Sequence, residues 1–402
     1  GGDPVVFGGR ALGTGPGGGS VWADRAQAFV VCFTVAVGLG LAVDAGYFGK
    51  TDWFHHRLRA GLFGRYQGGE GGHVSRLVWY LAQDSDHRRA GSPAVDPGGE
   101  FLSGSGWGIG PMATWLEVAL NGPWTRAKQP LMPITVEEVV AEGLACIEAG
   151  AAIIHVHAYD PISGRQDDDW RTYARIIEGI RAKSDAMVYP TIPFPGGLGD
   201  PNGMSAVQRF SHAEELAKRG LLECGVVDPG STQIAGFEEI ADGETGFLYA
   251  NPGDHIQQGL RLAAQYKFHP GYAIYEPGFT RLGAALHKAM PGCPVPIYRF
   301  MFSDGFAFGF PPQGWALEAH CKLLDHVAPQ APWMIAGLRV DITSLIAPAV
   351  RAGGHVRVGL EDTPWQSQIS NLDLTRQAIK EIEAAGGTPA SPAQVRSVLN
   401  RA

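Results

Sequence analysis

The chain lacks the signatures that would assign it to nucleic-acid, membrane or dinucleotide chemistry. No basic cluster runs longer than a few residues and the formal net charge is -8, which argues against a partner held by phosphate contacts. The five cysteines (Cys32, Cys146, Cys224, Cys293, Cys321) are scattered, odd in number and form no CxxC. They read as reduced thiols of a cytoplasmic protein. Only Cys321, between His320 and Lys322, has basic neighbours that would lower a thiol pKa, and adjacent residues on a helix do not face each other. No apolar run reaches the roughly twenty residues of a bilayer span. The longest, Phe29 to Val43, is about fifteen residues, is flanked by Asp24, Arg25 and Asp44, and shows no convincing cleavage site; no membrane partner is expected. No GxGxxG follows the first strand-like run, which counts against a doubly wound open sheet.

The first 111 residues are poor in a different way. They contain no methionine, no asparagine, one isoleucine (Ile109) and one lysine (Lys50), yet hold 26 of the 56 glycines. Such a composition does not readily offset the entropy of ordering. We read 1–111 as a poorly structured Gly-rich N-terminal extension, or as upstream sequence translated with the gene. A self-sufficient catalytic unit is expected over 112–402, beginning at Met112.

From there strand-like and helical patterns alternate. Strand-like runs lie at 114–121, 152–158, 186–192, 222–228, 272–277, 295–303, 332–337 and 354–361. Helical patterns lie at 135–149, 168–183, 205–220, 253–267, 279–290, 313–327, 342–352 and 370–386. Thr135 with Glu138 and Ser211 with Glu214 have capping-box spacing, and Asp167, Asp168 and Asp169 suit the opening of a helix. Eight such units fit an α/β fold of the (β/α)8 TIM barrel class.

Two runs carry the chemistry. In Ile153-Ile154-His155-Val156-His157 the histidines are two apart, so a strand points both to one face. In the late run Val356, Val358 and Leu360 alternate with Arg357, Gly359 and Glu361, placing guanidinium and carboxylate on a common face. In a closed barrel the eighth strand pairs with the first and the first with the second, so His155, His157 and Glu361 meet at the C-terminal mouth. Two imidazoles and a carboxylate suit zinc or a similar divalent ion with open positions for substrate; hydrogen-bonded structural histidines are the alternative.

Several segments together resemble the β-keto acid cleavage enzymes, whose founding activity is 3-keto-5-aminohexanoate cleavage. They are Asn121-Gly122-Pro123-Trp124-Thr125-Arg126, the run Glu148 to His157, Tyr275-Glu276, Gly353 to Asp362, and Thr388-Pro389-Ala390 with Ala393. The resemblance runs from about Met112 to the C-terminus and does not include 1–111. It implies a metal-dependent (β/α)8 enzyme, with zinc or another divalent metal, that condenses a β-keto acid with acetyl-CoA as co-substrate. Acetoacetate and a new acyl-CoA leave by carbon–carbon cleavage, an acyltransferase chemistry. It further implies His155, His157 and Glu361 as metal ligands, Asp362 as general base with Arg357 as its partner, and a homo-oligomer, often a tetramer. A salt bridge at the barrel rim is the structural alternative for Arg357 and Asp362.

Other residues are assigned by position alone. Glu276 ends the fifth strand with a parity that points it inward to orient ligand or substrate, structural hydrogen bonding being the alternative. Glu117 is expected to be a buried partner below the mouth, and Asp228 and Ser231 follow the fourth strand as candidate substrate contacts. The founding enzyme's glutamate after the first strand has no clear equivalent; Trp124 stands near its place. An aminated substrate tail is therefore not supported, and the aromatic stretch Tyr298 to Pro312 suggests a less polar one, with packing or a subunit interface as the alternative. The rivals are a metal-dependent hydrolase, which would need histidines where Glu276, Arg299 and Ser303 stand, a class II-type aldolase, and a non-catalytic metal-stabilised barrel.

Overall fold

A computed structural model describes residues 113–193 and 203–400; residues 1–112, with the Gly-rich segment and its apolar run, 194–202 and 401–402 lie outside the described residues. Eight parallel strands form one sheet: β1 (Leu116–Ala119), β2 (Ile153–Val156), β3 (Met187–Pro190), β4 (Cys224–Val226), β5 (His269–Ile274), β6 (Ile297–Phe302), β7 (Trp333–Gly337) and β8 (His355–Val358). Their hydrogen-bonded order is β3-β2-β1-β8-β7-β6-β5-β4, a nearly closed barrel in which only the β3–β4 seam lacks a ladder. Strands buried on both faces read as near-continuous apolar runs, and all six residues of β6 are buried.

The helices that cover the sheet are α1 (Val136–Glu148), α2 (Trp170–Arg181), α3 (Ser211–Lys218), α4 (Gly253–Tyr266), α5 (Pro277–Lys288), α6 (Gly314–Val327), α7 (Thr343–Arg351) and α8 (Asn371–Ala384). Thr135 and Glu138 form the capping box of α1, and Asp169 caps α2 by accepting from Arg171 N. The box expected at Ser211 is not formed. Ser205 and Gln208 make it instead, around the short turn Ala206–Arg209, and the Ser211 hydroxyl donates to the Gln208 carbonyl. At the base, Ala113–Thr114 pairs with Thr388–Pro389, tying the first described residues to the chain's end. No helix among the described residues is long and apolar enough to cross a membrane.

Two antiparallel hairpins decorate the C-terminal mouth: Tyr159–Asp160 with Arg165–Gln166 after β2, and Thr232–Ile234 with Phe247–Tyr249 after β4. Neither is apparent from periodicity.

Burial silences one expected candidate and exposes another property. The Cys321 thiol is pushed up to about 12 by burial, so it is not a thiolate nucleophile at neutral pH. Next to it, His320 is fully buried, stacks on Phe300 with ring centroids 4.5 Å apart, and meets Phe302 and Phe310 by their edges. Neither ring nitrogen has a hydrogen-bond partner, and burial lowers its pKa to about 4. The unfolded histidine titrates near 6.5. The folded protein therefore resists a proton that the unfolded chain accepts, and stability falls as pH drops from about 6.5 toward 4, by up to about 1.4 kcal/mol per pH unit from this residue. His320→Phe is expected to flatten the dependence of Tm on pH between 7 and 5. Parallel curves for variant and parent would contradict it.

Candidate active site

The end of β8 does not continue as the expected strand to 361. It stops at Val358, and the chain turns at Gly359, whose carbonyl accepts from Asp362 N and Thr363 N at 3.0 and 3.1 Å. Gly359 has φ +141°, and a Cβ there would lie 2.1 Å from the Ala119 carbonyl oxygen. Only glycine lets the backbone cross so close over β1. The turn carries Glu361 across the intervening strand toward β2. It also brings both Glu361 and Asp362 to Arg357, which an extended strand would have placed on opposite faces.

Buried amides hold the geometry. Asn121 donates to the His157 carbonyl and accepts from its N–H, both at 2.9 Å. Asn371 accepts from Leu360 N and donates to the Leu120 carbonyl, both at 2.8 Å. Trp124 Nε1 donates to the Glu361 carbonyl at 2.8 Å. Gly122 backs the carboxylate: at φ +68°, an added Cβ would stand 2.5 Å from Glu361 Cγ. Gly122→Ala should thus push Glu361 off its position. We expect metal affinity and activity to fall at least tenfold with the barrel still folded, read by metal titration and circular dichroism; unchanged metal affinity would refute the contact.

His155, His157 and Glu361 offer ligand atoms all within 4.8 Å of one another. His155 Nε2 lies 3.4 Å from Glu361 Oε2 and His157 Nε2 lies 3.5 Å from Oε1. His157 Nδ1 donates to Gln166 Oε1 at 2.8 Å, and Gln166 Nε2 donates to Asp168 at 2.9 Å. That chain fixes the tautomer and turns the Nε2 lone pair toward the cluster. His157 Nε2, His155 Nδ1 and Glu361 Oε2 are buried with no hydrogen-bond partner. Burial keeps His155 well below its usual pKa, hence neutral. Burial opposes the Glu361 charge, but the Arg357 guanidinium overcomes it and holds the carboxyl well below its usual range. The neutral His155 ring, the His157 Nε2 turned inward and an ionised carboxylate with an unused electron pair make the kind of donor set a divalent cation takes.

Arg357 forks onto Asp362 with Nε to Oδ2 at 3.0 Å and Nη2 to Oδ1 at 2.9 Å, and reaches Glu361 at 3.1 Å. Its Nη1 donates to Glu117 at 3.2 Å. Glu117 is the expected buried partner: it also accepts from Tyr189 OH at 2.5 Å and lies 3.5 Å from Arg299. Burial raises the Asp362 carboxyl to about 6 against the pull of Arg357, and the charges of Glu361 and Glu117 add to the rise.

The cavity above this network is lined by His155, His157, Arg299, Arg357, Glu361 and Asp228 among apolar groups. Arg299 faces this cavity from inside the apolar strand Ile297–Phe302, where a lone arginine is itself a sequence signal. Its Nε has no partner. The structure does not bring Glu276 to the cluster: its carboxylate accepts from Thr232 Oγ1 at 3.1 Å and Gly309 N at 3.2 Å, beside the base of the hairpin. Asp228 faces the cavity, whereas Ser231 accepts from Asn251 N at 2.7 Å and lies off it.

The family model described as beta-keto acid cleavage enzyme matches residues 113–400. A 3-keto-5-aminohexanoate cleavage enzyme of Fusobacterium nucleatum is 24% identical over 281 residues, covering 69% of this chain and 93% of that protein. The 3-oxoadipate:acetyl-CoA acetyltransferase of Cupriavidus necator is 26% identical over 297 residues, covering 71% and 93%. Among solved structures, apo ObcA superposes with a TM-score of 0.54 at 16% identity over 67% of this chain and 66% of its own, a likeness of fold alone. With the family model spanning the whole described barrel, the chain belongs to the beta-keto acid cleavage enzyme family.

Proposed function

We propose that this chain is a metal-dependent acyltransferase that exchanges carbon skeletons between a β-keto acid and acetyl-CoA. Acid R–CO–CH2–COO⁻ and CH3–CO–SCoA become R–CO–SCoA and acetoacetate. The observation that carries the reading is the His155, His157 and Glu361 cluster set against the Arg357–Asp362 pair at the barrel mouth. The names of two relatives, the Cupriavidus acetyltransferase and a 3,5-dioxohexanoate:acetyl-CoA acetone transferase of Paraburkholderia graminis, 24% identical, make acetyl-CoA the co-reactant there. His155, His157 and Glu361 would hold a divalent cation, which would supply Lewis-acid polarisation of the ketone.

The protein's own groups do the rest. Asp362 takes the proton from the carbon between ketone and carboxylate, and Arg357 holds the base in place through two hydrogen bonds. Arg299 and Arg357, both buried and facing the cavity, meet the negative charge of substrate and enolate. That carbon bonds to the acetyl carbonyl carbon as the thioester C–S bond breaks and CoA leaves as the thiolate. The thiolate adds to the original ketone carbon, and the bond from that carbon to the central carbon breaks, leaving R–CO–SCoA and, once the central carbon takes a proton back, acetoacetate. We place this activity in residues 113–400 and leave no role in it to 1–111.

The test is acetoacetate release by the full chain with acetyl-CoA and β-keto acids, before and after metal stripping and reloading with zinc, manganese or cobalt. Release that needs both metal and acetyl-CoA is expected, and His155→Ala should abolish metal binding. Acetoacetate formed without acetyl-CoA would move the protein to the hydrolase or aldolase class.

A further inference from the structure

The hairpin after β4 forms one wall of the cavity. Its cross-strand pairs are Thr232 with Tyr249, Gln233 with Leu248 and Ile234 with Phe247. Alternation turns Ile234, Phe247 and Tyr249 to the cavity, while Leu248 is exposed. Opposite them the barrel presents Ala273, Met301 and Leu338, and these six pack in one apolar cluster. The aromatics of the sixth-strand loop take a different place from the one expected: Phe306 and Phe308 pack in that cluster behind the wall and do not line the cavity.

The carboxylates of the site are already engaged by donors. Glu117, Glu361 and Asp362 share Arg299 and Arg357. Asp228, the remaining carboxylate of the lining, accepts from Tyr249 OH through one oxygen at 2.6 Å and from Ala273 N through the other at 2.7 Å. Among the described lining residues, a cationic tail would find no carboxylate without a bonded partner, and an anionic tail would find no cation beyond Arg299 and Arg357. On this side the cavity is bounded by Ile234, Phe247 and Tyr249, so the wall limits the length of a tail as well as its polarity.

Resting on the acyl-exchange reading above, we propose that the enzyme takes β-keto acids whose tail is short, uncharged and apolar, seated between Ala273, Met301 and Leu338 and the hairpin's Ile234, Phe247 and Tyr249. A buried charge without a partner is disfavoured strongly, so discrimination against charged tails of equal length should be about a hundredfold or more.

The experiment compares 3-oxohexanoate, 3-oxoadipate, 5-amino-3-oxohexanoate and 3-oxodecanoate on the full-length protein. Two readouts are taken: kcat/KM with acetyl-CoA, and binding by calorimetry without it. 3-Oxohexanoate should lead the charged acids about a hundredfold in kcat/KM and bind more tightly than all three others. Phe247→Ala, which opens the wall, should shift preference toward 3-oxodecanoate about tenfold. A charged acid used or bound as well as 3-oxohexanoate would overturn the assignment, as would absence of any binding preference. Preferential binding of 3-oxohexanoate without acetoacetate release would instead leave the tail pocket standing and refute the reaction.

Discussion

Asp362→Asn is expected to lower kcat for CoA-dependent acetoacetate release by about 10²- to 10⁴-fold, the usual contribution of a positioned general base. The substitution keeps the size of the side chain and one acceptor for Arg357, and removes the lone pair that would take the proton. Because Asp362 is not one of the three grouped metal donors, metal content per chain should stay at the parental value. Steady-state kinetics together with metal analysis checks both. Activity within tenfold of the parent would assign the base elsewhere, and loss of the metal would make Asp362 a structural support of Glu361.

Arg357→Met should be the most damaging single change to stability. Arg357 is buried and binds Glu117, Glu361 and Asp362, themselves buried. Removing it leaves carboxylates in the interior with only Arg299 near Glu117. Breaking a buried pair from one side costs about 3–5 kcal/mol, and for a domain of this size each kcal/mol moves Tm by roughly 2–4 °C. The variant has a signature in pH. Stranded carboxylates have folded pKa values raised above their unfolded ones, so the penalty is full at neutral pH and relieved as the groups protonate. The gap in Tm between parent and variant should therefore shrink between pH 7 and 5. A constant gap would show that lost packing, not unpaired charge, is the cause.

Much of the fold was legible because parallel strands buried on both faces write themselves as apolar runs. Each of the eight expected runs contains or overlaps an observed strand, and each expected helix an observed one. The HxH spacing was legible for the same reason, since His155 and His157 bracket Val156 at the end of β2. The hairpin Thr232–Ile234 with Phe247–Tyr249 was not legible. Its strands are three residues long, are separated by twelve residues that include the short helix Phe237–Ala241, and are too brief to show alternation. Glu276 illustrates a further limit: strand parity put it inward, but the side chain turned to Thr232 and Gly309, groups supplied by segments no local pattern relates to it.

By itself the sequence determined the alternation of strands and helices and the two imidazoles on one face. Those properties depend on residues within a few positions of each other, where backbone geometry repeats. Only the tertiary structure decided which distant groups meet. The crossing of Gly359 over Ala119 delivers Glu361 to the histidines. Arg357 is shared among Glu117 of β1 and the two carboxylates of the turn after β8, and the hairpin after β4 walls the cavity with apolar side chains. Barrel closure sets these contacts through register across strands, and register depends on the packing of the whole sheet.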